Sequence, residues 1–309
     1  MSRRAAVACV TGAGTAPELM AEAVLALDAV ARLHGFTIDD THVACGGVAV
    51  ARDGHALPMP TRRAILGADA VLVAGHDEAS LAEMRADLDV RAHVTRVRSG
   101  ARDDVVIFVP VDDAGADWTI ERAFATAEAR TLTLAAVGDE EWHDAVDRCA
   151  AGHEHVRVEH LAPRVALPLA AFDAGRFDVV AVAPQWGDAV VEIAAAAASA
   201  RVAAHAHLAE HGPSLFMPSA DDAFALAGSG VANPSSMLLA AAMMLDHGLG
   251  LHGAARMLAG AVSSALVDGP QTPDLLRFGV GATSREFTTR VLDGFQLAHA
   301  NAEFWGTAA

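Results

Sequence analysis

The chain of 309 residues contains no tyrosine and no lysine. All 22 of its lysine-plus-arginine positions are therefore arginines, so every fixed positive charge is a guanidinium that stays protonated in proteins. Tyrosine and lysine are two of the side chains that enzymes use to transfer protons. Neither can serve in the chemistry of this chain.

Cysteine is also scarce. Cys9, Cys45 and Cys149 form an odd, widely scattered set without CxxC spacing, which predicts buried, reduced thiols. No stretch approaches the roughly 18 to 20 uninterrupted apolar residues of a membrane-spanning helix. The N-terminus leads directly into a glycine turn and does not fit a secretory signal. We therefore expect a cytoplasmic protein.

The formal net charge of -17 repels phosphate backbones and anionic lipid surfaces. It therefore predicts neither a nucleic-acid nor a membrane partner. A hydrophobic content of 53% in a chain of this length is enough to bury one or two full cores.

Short apolar runs alternate with amphipathic stretches, which predicts an α/β sheet. The predicted strands are Ala5 to Val10, Ala70 to Ala74, Val105 to Val111, Thr131 to Val137 and Phe177 to Ala183. The predicted helices are Glu18 to Leu33, Ile120 to Ala129, Ala194 to Ala200, Pro234 to Asp246, His252 to Leu266 and Ser284 to Leu297.

Several motifs occur in the order known from one enzyme family. Gly228-Ser-Gly-Val-Ala-Asn-Pro234 and the helix that follows resemble the segment in which β-decarboxylating dehydrogenases lead a glycine-rich cofactor loop into a helix ending "AMML". Gly12-Ala-Gly-Thr-Ala-Pro-Glu18 is similar to their first βα turn. Further matches are Leu88-Asp89, Trp186-Gly-Asp188 and Gln271-Thr-Pro-Asp-Leu275. The chain thus resembles the isocitrate/3-isopropylmalate dehydrogenase family over nearly its whole length.

The resemblance implies oxidation of a malate-type substrate by NAD, with arginines that clamp carboxylates and aspartates that bind a divalent metal. Arg85 matches the first clamping arginine, and Glu78 matches the glutamate on the nicotinamide side. Asp188 and Glu192 match two metal-binding aspartates. A helix would place both on one face, and they would be metal ligands only if a metal is retained.

Other family positions are altered. Thr95 stands where the second clamping arginine is expected, and Arg96 is one residue away. The segment of the third clamping arginine is Val109-Pro-Val111, and the arm that carries the family's tyrosine is shortened. The segment of its catalytic lysine is missing after Val137.

Arg164 falls where the third metal-binding aspartate is expected. By family analogy its guanidinium would reach Asp188 and Glu192 of a partner chain and take the place of the metal. The alternative is that Arg164 points to solvent after a local rearrangement.

The resemblance also implies cofactor-side positions: Asp222, Gly228, Gly230, Asn233 and Asp274. A carboxylate at Asp222 would accept from the ribose hydroxyls and repel a 2′-phosphate, so NAD is favoured over NADP. Met217 replaces the histidine that stacks on adenine. Alternatively, these residues serve only as turn and N-cap residues.

Two further patterns favour no site. His153 with His155, and His205 with His207, would share a face if they lay on strands, but each pair lacks a third metal ligand in the sequence. Cys45-Gly-Gly47 predicts a turn and not a phosphate-binding loop, because no helix with Lys-Ser/Thr is evident after it.

We therefore predict a two-lobed α/β fold with a central cleft. One lobe comprises residues 1–99 with 218–309, and the other residues 100–217. The resemblance implies a homodimer that binds a small carboxylate. Three functions stay open: an NAD-dependent oxidoreductase with altered substrate and mechanism, a non-oxidative enzyme of the lyase or proton-transfer type, and a ligand-binding or partner subunit without catalysis.

Overall fold

A computed structural model describes residues 3–99, 103–197, 202–219, 223–276 and 278–306. Its strands are β1 (Arg3–Thr11), β2 (Phe36–Ala44), β3 (Ala70–Ala74), β4 (Val90–Ser99), β5 (Asp103–Pro110), β6 (Thr133–Val137), β7 (Arg157–Leu161), β8 (Val179–Val182), β9 (Val202–Ala209) and β10 (Leu215–Pro218). Its helices are α1 (Ala16–His34), α2 (Gly46–Asp53), α3 (Met59–Leu66), α4 (Glu78–Asp87), α5 (Ala116–Glu128), α6 (Glu140–Ala150), α7 (Pro163–Phe172), α8 (Gly187–Ala197), α9 (Ser235–Met243), α10 (His252–Asp268) and α11 (Ser284–Gly306).

The chain divides into two compact units, Met1–Leu88 with His211–Ala309, and Asp89–Glu210. These boundaries differ from the expected ones at 99/100 and 217/218. Strand β4 belongs to the second unit because it pairs antiparallel with both β5 and β9. Strand β10 belongs to the first unit because it pairs with β3.

The first unit contains strands in the order β2-β1-β3-β10, all parallel. Parallel strands end at the same edge of their sheet, where α/β proteins usually bind ligands. Helix α9 is buried along nearly its whole length, as expected for a helix that is apolar all round. The helix predicted over Pro234 to Asp246 is shorter, because its last turn becomes a π-helix at Met244–Gly248.

The second unit contains strands in the order β9-β4-β5-β8-β6-β7. Strands β5, β8, β6 and β7 are parallel. One face of this sheet forms an apolar core with α7 and α8, and its members include Val97, Ile107, Val180, Ala166 and Val190. Helix α5 packs against β5, β6 and β8 with Ile120, Ala123 and Phe124 buried.

The structure decides two local patterns that the sequence left conditional. His153 and His155 lie between α6 and β7 and not on a strand, whereas His205 and His207 do lie on β9. A helix does follow Cys45, because α2 begins at Gly46. The sequence did not indicate this helix because the first turn of α2 contains two glycines, which are poor helix formers.

No helix within the described ranges is long and apolar enough to span a membrane. Cys9 and Cys45 are buried and Cys149 is partly buried, and all three are free thiols. The cytoplasmic location stays a prediction.

Candidate functional site

The first βα turn lies against the end of β3. The Gly12 amide donates to the Ala74 carbonyl at 2.8 Å. A Cβ atom at Gly12 would lie 1.7 Å from the Gly75 carbonyl oxygen, so only glycine fits this approach of two backbones.

A pocket of about 650 Å³ opens at this edge of the first unit. Its lining comprises Gly12, Ala13, Gly46, Gly47, Val48, Ala51, Gly75, His76, Asp77 and Phe224. The volume lies within the range of small-molecule sites. Because four of the lining residues are glycines, a ligand here would contact backbone closely.

Helix α4 begins at the wall of this pocket. The Asp77 side chain caps the helix by accepting from the Ser80 amide at 2.8 Å. Glu78 is the first residue of the helix, and Arg85 follows two turns later. Arg85 Nη1 lies 3.7 Å from Glu78 Oε1, so the structure brings together the predicted substrate arginine and the predicted nicotinamide-side glutamate.

The glycine-rich loop at Gly228 is fastened to the first βα unit. Gly228 and Gly230 both have positive φ angles, 76° and 66°, which favour glycine. Glu18 on α1 accepts from the amide of Gly228 through one carboxylate oxygen and from the amide of Gly230, at 3.0 Å, through the other. One carboxylate thus fixes the shape of this loop.

Asn233 and Asp274 are also brought together. Asn233 Nδ2 donates to Asp274 Oδ2 at 2.9 Å, while Asn233 Oδ1 accepts from the Ser235 amide at the start of α9 at 3.0 Å. Both residues therefore have a local structural role. Asp222 lies outside the described residues, and Met217 is buried within β10.

The predicted carboxylates lie in the second unit. Asp188 and Glu192 are exposed on α8, one helical turn apart, and Arg164 is exposed on α7, which packs against α8. Among the residues that the structure describes, no group of three or more His, Cys, Asp or Glu has the geometry of a metal site. An arginine at the third position, where the resemblance places Arg164, would not supply the oxygen ligand that a divalent metal requires.

Arg96 does not lie on the same face of β4 as Thr95, where the resemblance places a clamping arginine. Successive strand residues point to opposite faces, and Arg96 binds Asp104 through two hydrogen bonds, at 2.7 and 2.5 Å. Thr95 Oγ1 instead lies 3.0 Å from His205 Nδ1.

Sequence reasoning missed a row of histidines on β4 and β9. His93 pairs directly with His207 across the two strands, and their ring centroids are 4.4 Å apart in a T-shaped contact. The spacing of His205 and His207 signalled a shared strand face, but nothing in the sequence indicated that β4 lies beside β9.

The comparisons with known proteins agree with each other. A family model described as isocitrate/isopropylmalate dehydrogenase matches residues 111–291. The 3-isopropylmalate dehydrogenase of Prochlorococcus marinus is 30% identical over 90% of this chain and 95% of its own, and that of Lactococcus lactis is 28% identical over 94% and 99%.

Solved structures show the same fold. A β-decarboxylating dehydrogenase from Thermococcus kodakarensis in its apo form has a TM-score of 0.84 at 22% identity, covering 97% of this chain and 99% of its own. Isocitrate dehydrogenase from Methylococcus capsulatus has a TM-score of 0.77 at 20% identity, covering 94% and 99%.

Proposed function

Because this chain belongs to the isocitrate/isopropylmalate dehydrogenase family, we propose that it is an NAD-linked oxidoreductase that acts on a malate-type hydroxy acid by an altered mechanism. The observation that carries the proposal is the pocket at the strand ends of the first unit, whose wall at Asp77 leads into the helix with Glu78 and Arg85. At the strand ends of an α/β sheet a ligand can contact both the backbone of the loops and the N-terminus of a helix.

Arg85 is the proposed substrate anchor. Its guanidinium can hold a carboxylate through two parallel hydrogen bonds, and Glu78 on the same helix limits its orientation. Substituting Arg85 by methionine should remove dicarboxylate binding and leave NAD binding unchanged. Arg52→Met, at an exposed arginine that pairs with its neighbour Asp53, is the matched control.

NAD is the proposed cofactor because Asp222 would accept from the ribose hydroxyls and repel the extra phosphate of NADP. Asn233, Asp274 and the loop at Gly228 and Gly230 complete the proposed cofactor side. NAD binding should be weak, because the side chain of Met217 has no ring to stack on the adenine as a histidine would. The loss of this stacking contact should cost about 0.5 to 1.5 kcal/mol.

Calorimetric titration of the full chain with NAD and NADP tests this proposal. We expect detectable NAD binding, weaker NADP binding, and a loss of that preference in Asp222→Asn. The exposed Asp39→Asn should leave both titrations unchanged. Absence of NAD binding at millimolar concentration would contradict the NAD linkage.

The mechanism is proposed to be altered because the chain offers no tyrosine and no lysine for proton transfer. Positioned acid–base groups contribute on the order of 10² to 10⁴ in rate. We therefore expect turnover of isopropylmalate or isocitrate to be absent or slower than in intact relatives by at least this factor, measured as NADH formation. Rapid NADH formation would contradict this interpretation.

The absence of tyrosine and lysine is also the observation that favours the two alternative functions, a non-oxidative enzyme and a partner subunit. Binding of a dicarboxylate without NAD would support a non-oxidative lyase or proton-transfer enzyme. Failure to bind either ligand would support a partner subunit without catalysis.

We also propose that Arg164 takes the place of a divalent metal between Asp188 and Glu192 of the partner subunit. A guanidinium is permanently charged and can satisfy two carboxylates, and it repels a cation. We expect no Mn²⁺ binding by the full chain in calorimetry, no effect of a chelator on ligand binding, and new Mn²⁺ affinity in Arg164→Asp. Mn²⁺ bound by the unmodified chain and lost in Asp188→Asn would refute the substitution.

A homodimer through α7 and α8 is the proposed assembly. Phe172 is 91% exposed and Val165 is 44% exposed on α7. The exposed charges of Arg164, Asp188 and Glu192 have opposite signs, so that the same patch on two chains can form ion pairs across a two-fold interface. Sedimentation should show a dimer at micromolar concentration that Phe172→Asp dissociates. Phe278→Asp, at an aromatic residue 85% exposed in the other unit, should not dissociate it, and a monomer in the unmodified chain would contradict the proposal.

A further inference from the structure

The pocket of the first unit contains a carboxylate and an aromatic ring to which the proposed function assigns no ligand contact. Asp77 and Phe224 both line this pocket. Among the lining residues that the structure describes, Asp77 has the only carboxylate and none is an arginine. The pocket therefore presents a negative charge to a ligand, without a fixed positive charge in its lining to balance it.

The carboxylate of Asp77 lies at the beginning of two helices. Its Oδ1 accepts from the Ser80 amide in the first turn of α4 at 2.8 Å. Its Oδ2 lies against the first residue of α2, since a Cβ atom at Gly46 would be 3.1 Å from it. Helix N-termini favour anions, and here a side chain of the protein takes that place. An anionic group of a ligand would be repelled by this charge, whereas a cation would be attracted.

Phe224 presents an apolar ring to the same pocket. Its side chain is 66% exposed, and Val48 and Ala51 on α2 add further apolar surface to the lining. A flat ligand would cover this surface and remove it from water. The face of an aromatic ring also attracts a cation, so the ring and the carboxylate of Asp77 favour the same kind of ligand.

The backbone around Phe224 determines where this ring lies. Ala223 has a φ of 41°, in the left-handed region that residues with a side chain rarely adopt, and such conformations are frequent at ligand-binding sites. It leads into the short 3₁₀ helix Phe224–Leu226. The Leu226 carbonyl accepts from the Ser229 amide at 3.0 Å, which connects this turn to the glycine-rich loop at Gly228.

We propose that Asp77 and Phe224 bind the nicotinamide ring of NAD in its oxidised, positively charged form. The inference rests on the proposed function. The diphosphate of NAD is anionic and its adenine is neutral, whereas the oxidised nicotinamide is a flat cation that suits a carboxylate and an aromatic face together. The ring of NADH is neutral and gains no attraction of this kind. The subsite therefore makes the protein prefer the oxidised cofactor.

The first test is calorimetric titration of the full chain with NAD⁺ and with NADH. We expect NAD⁺ to bind more tightly by at least about 2- to 5-fold, the size of an exposed cation–π contact. Equal affinities, or tighter binding of NADH, would overturn the proposal.

Two conservative variants assign this preference to its residues. Phe224→Leu keeps an apolar side chain and removes the ring, and Asp77→Asn removes the charge and keeps a helix cap. Each should bring the ratio of the two affinities closer to one. The controls are Phe278→Leu, at an exposed aromatic residue outside the pocket lining, and Asp139→Asn, at a carboxylate that caps α6 through the Trp142 amide. A ratio that neither Phe224→Leu nor Asp77→Asn changes would refute the assignment.

A pair of fragments measures the same subsite without any substitution. Nicotinamide methylated on its ring nitrogen is a flat cation, and nicotinamide itself is the neutral counterpart of nearly the same shape. In ligand-observed NMR titrations of the full chain we expect the cation to bind more tightly, again by about 2- to 5-fold or more. Nicotinamide that binds as tightly as the cation would contradict the role of charge.

These titrations separate the subsite from the proposed function. NAD⁺ binding without a preference over NADH refutes the subsite and leaves the NAD linkage intact. Binding of the methylated fragment that Asp77→Asn weakens, without binding of NAD⁺, refutes the NAD linkage and supports a site for another flat cation. If neither NAD⁺ nor the fragment binds at millimolar concentration, both proposals are refuted.

Discussion

Asp104, at the start of β5, is the anion of a buried charge cluster in the second unit. It accepts two hydrogen bonds from Arg96, and it lies 3.7 Å from Arg98 and 3.4 Å from Arg130. Burial alone would raise the pKa of Asp104, but the three arginines outweigh it and hold this pKa well below its usual range. The structure therefore predicts that Asp104→Asn, which keeps the shape and removes the charge, is strongly destabilising.

The magnitude follows from which arginines lose their partner. Arg130 also binds Asp178 at 2.5 Å and remains paired, whereas Arg96 and Arg98 keep buried guanidinium groups without the central carboxylate. Removing one partner of a buried pair typically costs about 3 to 5 kcal/mol. We expect about 3 kcal/mol, at the lower end of this range, because Arg130 keeps the carboxylate of Asp178.

Guanidinium denaturation followed by tryptophan fluorescence is a suitable assay, because Trp118, Trp142 and Trp186 lie in the second unit and only one of the four tryptophans lies elsewhere. A loss of about 3 kcal/mol lowers the midpoint by about 1 M. Asp39→Asn, which removes an exposed pair with Arg4, should cost at most about 1 kcal/mol.

The pH dependence gives a second criterion. Because the folded-state pKa of Asp104 lies below the unfolded value of about 3.9, its stabilisation is complete at neutral pH and is lost as the pH falls below that value. The difference between the unmodified chain and Asp104→Asn should therefore shrink in acid. A neutral-pH loss no larger than that of the Asp39 control would refute the reasoning.

Two further sets of substitutions should change the free energy of unfolding in a predictable direction. Gly12→Ala forces a Cβ atom onto the Gly75 carbonyl oxygen and should cost at least about 1 to 3 kcal/mol in denaturation, whereas Gly47→Ala meets nothing within 4 Å and should be neutral or slightly stabilising. The His153 pKa is raised chiefly by its hydrogen bond to Glu121, which outweighs partial burial. His153→Gln should therefore lose at most about 1 kcal/mol, fully below about pH 6.5 and progressively less as the pH rises through the raised pKa. A loss that does not change with pH would contradict this cause.

The local sequence pattern was sufficient to predict an element that is buried and consists of one continuous apolar or amphipathic run. The strand Ala70–Ala74 has the predicted bounds because it is an unbroken apolar run that ends at Gly75, and every residue of it is buried. The run predicted over Phe177 to Ala183 similarly contains β8, and the helix predicted over Glu18 to Leu33 lies within α1.

Local pattern was insufficient where an element lies at the edge of the sheet or pairs at long range. Strand β2 pairs with β1 at the end of the strand order, so polar residues such as Asp39, Asp40 and His42 interrupt its apolar run. Strand β4 was assigned to the wrong unit because its partners, β5 and β9, are set by antiparallel pairing and not by proximity to the first unit in sequence.

The sequence by itself determined the family, the α/β class and the absence of tyrosine and lysine, because composition and ordered motifs do not depend on folding. Only the tertiary structure decided which side chains meet. The alternation of a strand fixes that Arg96 and Thr95 face opposite ways, but the register with distant strands directs one to Asp104 and the other to His205. That register is selected by the burial of a whole sheet face, a property of the packed unit that no short stretch of residues contains.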